Sequence, residues 1–336
     1  MTWRVTVLIL ALTGAALVAI GCGGGSGIGP GSGIIGPLGG RLEAGGIIVD
    51  VPPGALPAEF TLLVTPLSAA QVPAPPGGLA VMPAAQFDPD GLLFALPVAI
   101  TFPVSARLPA GQTLPLYWLQ GSVWQDSGFD AVVSADGRTA ETQVSHFSVY
   151  AIFADYAPFS VGASWTYHRV VQTTPAGGAP NPPDASTVIA TITGTDEIGG
   201  LTAFVWSESD PSNVTLYLHR SDSELLLVAL EQSGEPREVL DPPARLLMLP
   251  PAAGQTWQVT PLLDDPATAT VSAETVTVGG VEYDAMKVHI EPETTQGYMD
   301  LWFAPEVGPV KWKQAVVEPG VQTTVIEMDL QSYSFP

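Results

Sequence analysis

"STVIATITGTDEIGGLTAFVWSES", residues 186–209, decides the fold. Two runs rich in Val, Ile, Thr and aromatics flank Gly199-Gly200, which is the signature of a β-hairpin with a two-residue turn. A second stretch, "TATVSAETVTVGGVEYDAMKVHIE" (268–291), repeats the arrangement around Gly279-Gly280. Each hairpin follows a G-x-x-W element, Gly162/Trp165 in the first case and Gly254/Trp257 in the second, and each is followed by an aromatic strand. The same order occurring twice reads as a duplicated β-meander. Between them "VTLYLHR", "ELLLVALEQ" and "ARLLMLP" are further strands, while 174–186 and 233–243 carry the Pro/Gly composition of surface loops. Residues 155–336 are therefore expected to be one antiparallel β domain.

Working outward, the preceding segment also reads as short strands. "GGIIVDVPPGAL", "EFTLLVTPL", "LPVAITFPV", "LPLYWLQ" and "AVVSADGRTAETQV" are rich in strand formers, and Asp136-Gly137 is a hairpin signal. "VSHFSVYAIF" (144–153) has Phe147, Val149, Ala151 and Phe153 on one face and His146 and Ser148 on the other. No window of ten or more residues has a 3.6 period. The fold class expected for the whole chain is all-β, an antiparallel β-sandwich over 41–154 followed by the second β domain.

Three blocks of the first domain, "GGRLEAGGIIVDVPPGALP" (39–57), "FDPDGLLFALPVAITFPV" (87–104) and "VSHFSVYAIF", resemble in order and spacing the ZU-five domain of ankyrins, netrin receptors and bacterial envelope proteins. The blocks span about a third of the chain. The second half is similar to bacterial lipoproteins of unassigned role that carry "VGxxWtY" and "WFAPxVGxVK", present here as Val161 to Tyr167 and Trp302 to Lys311. That resemblance implies a curved antiparallel sheet and brings no activity with it.

At the amino terminus Arg4 precedes sixteen uncharged residues, Val5 to Ile20. Sixteen is short of the ~20 that span a bilayer as a helix. The only cysteine, Cys22, follows at once, so no intrachain disulfide can form. Ala19-Ile20-Gly21-Cys22 resembles the lipobox of a bacterial lipoprotein precursor. The resemblance implies a signal peptide over 1–21, cleavage between Gly21 and Cys22, and diacylglycerol and a fatty acyl group such as palmitate on Cys22. Several acyl chains anchor stably where one does not. Residues 22–40, dominated by Gly, Ser and Pro, read as a tether spanning about 24 Å as a random coil. Within it "GSGIIG" matches G-x-G-x-x-G by letters alone, with no strand before it and no helix after it.

Composition excludes several function classes. The chain of 336 residues has 33 acidic against 11 basic residues, and its pI is near 4.2. Such a surface repels a phosphate backbone, so nucleic acid is not an expected partner. Asp88-Pro89-Asp90-Gly91 reads as a tight turn; as calcium ligands Asp88 and Asp90 lack the further oxygens such a site needs. His168, His219 and His289 stand alone on strands, so no metal is expected. Carboxylate pairs such as Glu291/Glu293 and Asp264/Asp265 have nothing to fix them in a cleft. Trp118, Trp124, Trp165, Trp206, Trp257, Trp302 and Trp312 either fill cores or form a carbohydrate-stacking surface. No cofactor motif is present.

One stretch offers chemistry. Some animal ZU-five domains cut their own chain within a His-Phe-Ser triplet. By resemblance, His146 is the base and Ser148 the nucleophile that attacks the Phe147 carbonyl; the N→O acyl shift gives an ester that water opens. Three letters establish neither strain nor an oxyanion donor, and a closing core strand explains the same residues. The expectation is a non-catalytic, membrane-anchored module of the cell envelope that contacts proteins or surface polysaccharides. Gly23 after the anchor, where Asp would favour inner-membrane retention, points to the outer membrane of a two-membrane cell. Self-cleavage at Phe147-Ser148 and carriage of a lipid or other apolar ligand by the second sheet are the alternatives; a mean hydropathy of +0.29 suits the latter.

Overall fold

The structure, a computed structural model, describes residues 30–104, 106–209, 214–259, 266–293 and 296–336. The expected signal peptide, the cleavage site at Gly21 and Cys22 lie outside the described residues. Among those described the chain is all-β, and the two short 3₁₀ turns at 69–71 and 76–78 are its only helical elements.

The first sheet holds β1 (Gly31–Ile35), β2 (Gly40–Ala44), β3 (Ile47–Val51), β4 (Phe60–Leu67), β5 (Ala80–Asp88), β6 (Leu93–Pro103), β7 (Thr113–Gln120), β8 (Val123–Val133), β9 (Thr139–His146) and β10 (Val149–Ala154). Their order is β1-β4-β5-β10-β7-β8-β9-β6-β3-β2, with every pair antiparallel. The end strands β1 and β2 are consecutive in the chain and meet through a Gly36–Gly39 bridge, so the sheet returns on itself. That approach brings the two end strands side by side without a ladder between them.

Two sequence expectations change here. Residues 31–35, placed in the tether by composition, are β1, paired with β4 from Gly31–Val64 to Ile35–Phe60. The glycines serve proximity rather than flexibility: a Cβ on Gly31 would sit 2.6 Å from the Glu43 carbonyl oxygen. Residues 144–153 are not one strand either. β9 pairs with β6 and β8, β10 with β5 and β7, and Phe147-Ser148 carries the chain between them. Ser148 is 6% exposed, so it does not share a solvent face with His146.

β10 is apolar throughout because both its faces are covered. Tyr150 and Ile152 join the main core with Phe87, Phe102 and Phe147. Ala151 and Phe153 face a smaller cluster with Trp124, roofed by the 68–79 segment, whose Pro73 carbonyl accepts from Trp124 Nε1 at 2.9 Å. Phe147 is fully buried, with its ring 4.9 Å from Phe94 and 5.4 Å from Phe87. Burying such a side chain contributes roughly 1.5–3 kcal/mol.

The second sheet holds β11 (Ser164–Pro175), β12 (Asp184–Ile198), β13 (Leu201–Glu208), β14 (Val214–Arg220), β15 (Glu224–Gln232), β16 (Glu238–Met248), β17 (Thr256–Val259), β18 (Ala267–Val278), β19 (Val281–Pro292), β20 (Gly297–Ala304), β21 (Gly308–Glu318) and β22 (Gln322–Ser334). β16 begins inside the stretch whose composition suggested a loop. Two six-stranded meanders, β11 to β16 and β17 to β22, are joined by the ladder between β11 and β22. The other two ends, β16 and β17, meet through a side chain: Trp257 Nε1 donates to the Arg245 carbonyl at 3.1 Å.

The duplication is visible in hydrogen bonds. Gly162 N donates to Ile192 O (2.8 Å), and Ile192 N returns a bond to Ala163 O (2.9 Å). Gly254 N donates to Val271 O (2.8 Å), and Val271 N returns one to Gln255 O (2.9 Å). Both glycine pairs form hairpin turns with φ positive at each residue, from 56° to 83°, the geometry whose twist matches the flanking strands.

A polar junction fixes one domain to the other. Arg220 Nη2 donates to the Gly77 carbonyl and to Asp155 Oδ2, both at 2.9 Å. Asp284 accepts from the Arg107 backbone at 2.9 Å and from the Arg138 guanidinium. Glu306, on the β20–β21 turn, accepts from Asp155 N (2.6 Å) and from Gln112 Nε2 (2.7 Å). Three of the eleven basic residues are spent here, in a chain where cations are scarce.

Candidate functional site

Along each inner strand of the second sheet alternate side chains point to the interior, and these are large and apolar. They leave a pocket of about 120 Å³, open to solvent, walled by residues such as Phe159, Trp206, Leu218, Leu227, Phe303 and Met328. The polar residues in its wall are few. Tyr167 donates its hydroxyl to Pro309 O at 2.7 Å, and Trp206 Nε1 donates to Glu208 Oε1 at 3.2 Å. Burial pushes the Tyr167 phenol well above its usual pKa, so it stays a donor. Lys311 sends its ammonium to Glu327 and, at 2.9 Å, to Asp329. Burial works against the Lys311 charge, but the two carboxylates outweigh it and hold its pKa above the ordinary value. Trp312 stands in register between Leu301 and Met328, and all three line the pocket. Its Nε1 is buried without a hydrogen-bond partner.

The two motifs of the second half meet beside this pocket. Trp165, fully buried, donates Nε1 to Val307 O at 2.7 Å and stacks on Trp206 at 4.8 Å. Tyr167 holds the next turn carbonyl, Pro309. The motif letters thus tie β11 to the β20–β21 turn, which in turn carries Glu306 to the junction. Burial pushes the Glu306 carboxyl up to about 7, with the Asp155 carboxylate adding to the rise and the two N–H donors offsetting part of it.

A second polar cluster lies on β19 and β20. Asp300, 6% exposed, accepts from His289 Nδ1 at 2.6 Å and faces Lys287 Nζ at 3.3 Å. The other ring nitrogen of His289 faces Glu291 at 3.8 Å, an acid and not a nucleophile. The Trp302 ring lies under the Lys287 and Lys311 ammonium groups at 5.0 and 5.8 Å and donates to Glu274 Oε2 at 3.0 Å. This geometry holds charge on a sheet face; it aligns no reacting pair.

The triplet at 146–148 is held differently from what its letters imply. His146 lies beside Tyr150, with Nε2 3.4 Å from the hydroxyl, which donates to the His146 carbonyl at 3.0 Å. The Phe147 carbonyl accepts from Gly91 N at 2.9 Å, and the Ser148 carbonyl accepts from Phe87 N at 3.0 Å. These bonds knit the crossing to the Asp88–Gly91 turn. One amide on the Phe147 oxygen is half of an oxyanion hole, and the imidazole is engaged elsewhere.

Asp88 accepts both bonds from Gln86 Nε2, at 3.1 and 3.0 Å, and no group of three metal-ligating side chains occurs among the described residues. His219 Nδ1 is 2.8 Å from the Thr202 carbonyl, and the histidines do not converge. Asp264/Asp265 lie outside the described residues. Trp124, Trp165, Trp206, Trp257 and Trp302 are buried, so they form cores rather than a stacking surface. Sequence reasoning reached a curved sheet but not the pocket. The signal was the alternation of Leu, Met and Phe in "TLYLHR", "LLLV" and "YMDLWF", which shows an inner face without showing whether it is filled.

No family model matches the chain, and no curated protein matches it. The ZU-five resemblance accordingly rests on its three sequence blocks. Among solved structures, a protein of Parabacteroides distasonis described as a candidate lipoprotein is similar at 13% identity, over 54% of this chain and 99% of the other, with a TM-score of 0.28. A candidate exported protein of Bacteroides fragilis with a YmcC-like fold is similar at 15% identity, over 54% and 100%, with a TM-score of 0.27. At these scores neither neighbour informs the function.

Proposed function

We propose that the chain is a lipid-anchored protein of the cell envelope that works by binding, not catalysis, and holds an apolar ligand within its twelve-stranded sheet. The pocket carries this reading. Its wall combines hydrophobic side chains with a few placed polar groups, the make-up of small-molecule sites. The lipobox at Cys22 supplies the anchor, and the ZU-five-like first domain holds the second through the polar junction. Buried tryptophans favour this ligand class over polysaccharide.

Organic extraction of natively purified protein followed by mass spectrometry tests the reading. An amphiphile recovered in near-stoichiometric amount is expected. An empty extract, together with no uptake of an uncharged apolar dye, refutes it. Labelling cells with radioactive palmitate tests the anchor separately: Cys22→Ser abolishes the label, and equal labelling of both proteins refutes the anchor.

A further inference from the structure

The first sheet is open between β8 and β9. β8 keeps its ladder with β7 from Val123 to Val132, and β9 pairs with β6 in unbroken register from Thr139 to Val144. Between β8 and β9 only Val132–Glu141 and Val133–Ala140 are paired, so the hairpin forks a few residues beyond its turn. Ser134 N donates to Thr139 O at 2.8 Å, which sets the phase of the backbone. Alternate residues of β9 therefore turn their N–H and C=O toward the fork. Glu141 meets Val132 there, while Gln143 and Ser145 meet no strand among the described residues. On β8 the same phase turns Asp130 to the fork. An open groove follows it, lined by Phe129, Asp130 and Val132 on one side and Glu141, Thr142 and Gln143 on the other.

A free strand edge is a template for pairing, and proteins ordinarily blunt one with a bulge, a charge or a proline. β8 is blunted: its register shifts between Asp126 and Phe129, with Gly128 at a φ of 73°. β9 is not. From Thr142 to Ser145 it carries neither a proline nor a charged side chain.

We infer that the fork is a strand-addition site for an extended segment of another protein bearing Lys or Arg at alternate positions, lying antiparallel to β9 and bonded to the backbone of Gln143 and Ser145. Charge selects this partner. Paired residues share a face of the sheet, so Asp130, Val132, Glu141, Gln143 and Ser145 point outward together, and all five are exposed. Both charges on that face are negative. Arg138, at the hairpin turn, is already held by Asp284 and Glu282. In an unforked ladder Asp130 would stand opposite Gln143. A strand added between them places its outward side chains beside Asp130 and Glu141, where a base is matched. A second copy of the same edge would set acids against acids, which is unfavourable across a ladder. The site is separate from the apolar pocket, and neither depends on the other.

The test is fluorescence anisotropy of an end-blocked, fluorescein-labelled heptapeptide of alternating lysine and threonine, titrated with the full-length protein in a non-ionic detergent. Saturable binding that weakens with salt is expected, and no binding overturns the inference. In the antiparallel register the lysine amides face β9. Methylating the lysine backbone nitrogens keeps every charge and should weaken binding roughly five-fold or more, the value of two net hydrogen bonds. Equal binding of the methylated peptide overturns strand addition, leaving charge attraction alone. The peptide with glutamate in place of lysine should not bind, and equal binding overturns the choice of a basic partner. Gln143→Pro removes the donor that faces the fork and spares the ladder with β6, so it should weaken the unmethylated peptide to the level of the methylated one. Should that variant not fold, the two peptides on wild type decide. Self-association of wild type in sedimentation velocity, abolished by Gln143→Pro, would overturn the inference in favour of a second copy of this chain.

Discussion

Replacing Glu306 by Gln should flatten the pH dependence of stability. The carboxyl sits at the junction with both oxygens accepting N–H groups, and burial, reinforced by Asp155, raises its pKa from 4.5 to about 7. A raised carboxyl binds its proton more tightly in the folded state. Its contribution to stability is therefore fully present below pH 4.5 and is lost as pH rises through 7. Linkage between those two values gives a loss of about 2.5 kcal/mol from pH 5 to pH 8, since a tenfold change in proton affinity is worth about 1.4 kcal/mol. The Tyr117 and Tyr333 phenols, both raised by burial with a smaller push from Glu306, do not titrate in this range. Urea denaturation of wild type and Glu306→Gln at pH 5, 6, 7 and 8 reads the difference directly, because the four histidines are common to both proteins. Glutamine keeps the side-chain length and the same φ of 62°, so backbone strain also cancels. Wild type should lose about 2.5 kcal/mol relative to the variant across the series. Parallel curves would refute the assignment of a buried, raised carboxyl to this turn.

Three other outcomes are expected. A Cβ on Gly279 would lie 2.6 Å from Leu330 O, whereas one on Gly199 meets nothing within 4 Å. Gly279→Ala should therefore lower the melting temperature clearly more than Gly199→Ala, which bears only the positive-φ cost of about 1 kcal/mol; equal shifts would contradict the packing. Asp300→Ala leaves Lys287 and His289 without their buried partner and should cost roughly 2 kcal/mol in urea denaturation, against no effect if the cluster is merely solvated. Denaturing electrophoresis with intact mass should show one uncut polypeptide after long incubation, since His146 is engaged with Tyr150; fragments ending at the 147/148 bond would overturn the non-catalytic reading.

The two glycine-pair hairpins were legible because a two-residue turn between strand formers has few alternative conformations. Gly162/Trp165 and Gly254/Trp257 were legible for the same local reason, and their equivalence survives as matching hydrogen bonds. β1 was not, because Gly31 and Gly33 look like a linker when the strand they approach is unknown. The break at Phe147-Ser148 was hidden because alternation along 144–153 continues across a change of partners. The junction joins Gln112 and Asp155 to Glu306, which lies 194 and 151 residues further along the chain, and no local pattern encodes such a meeting. The unpaired indole at Trp312 is a property of what surrounds it, so the letters alone could not reveal it.

The pairing of β11 with β22 also decides how the second domain answers to force. Ser164 and Ser334 face each other, their hydroxyl oxygens 3.0 Å apart, at the same end of that ladder. A load applied at these two residues peels the strands like a zipper, breaking one rung at a time instead of shearing the whole row together. Pulled from its two ends, the domain should open at low tension, although the same ladder makes it a continuous wall at rest.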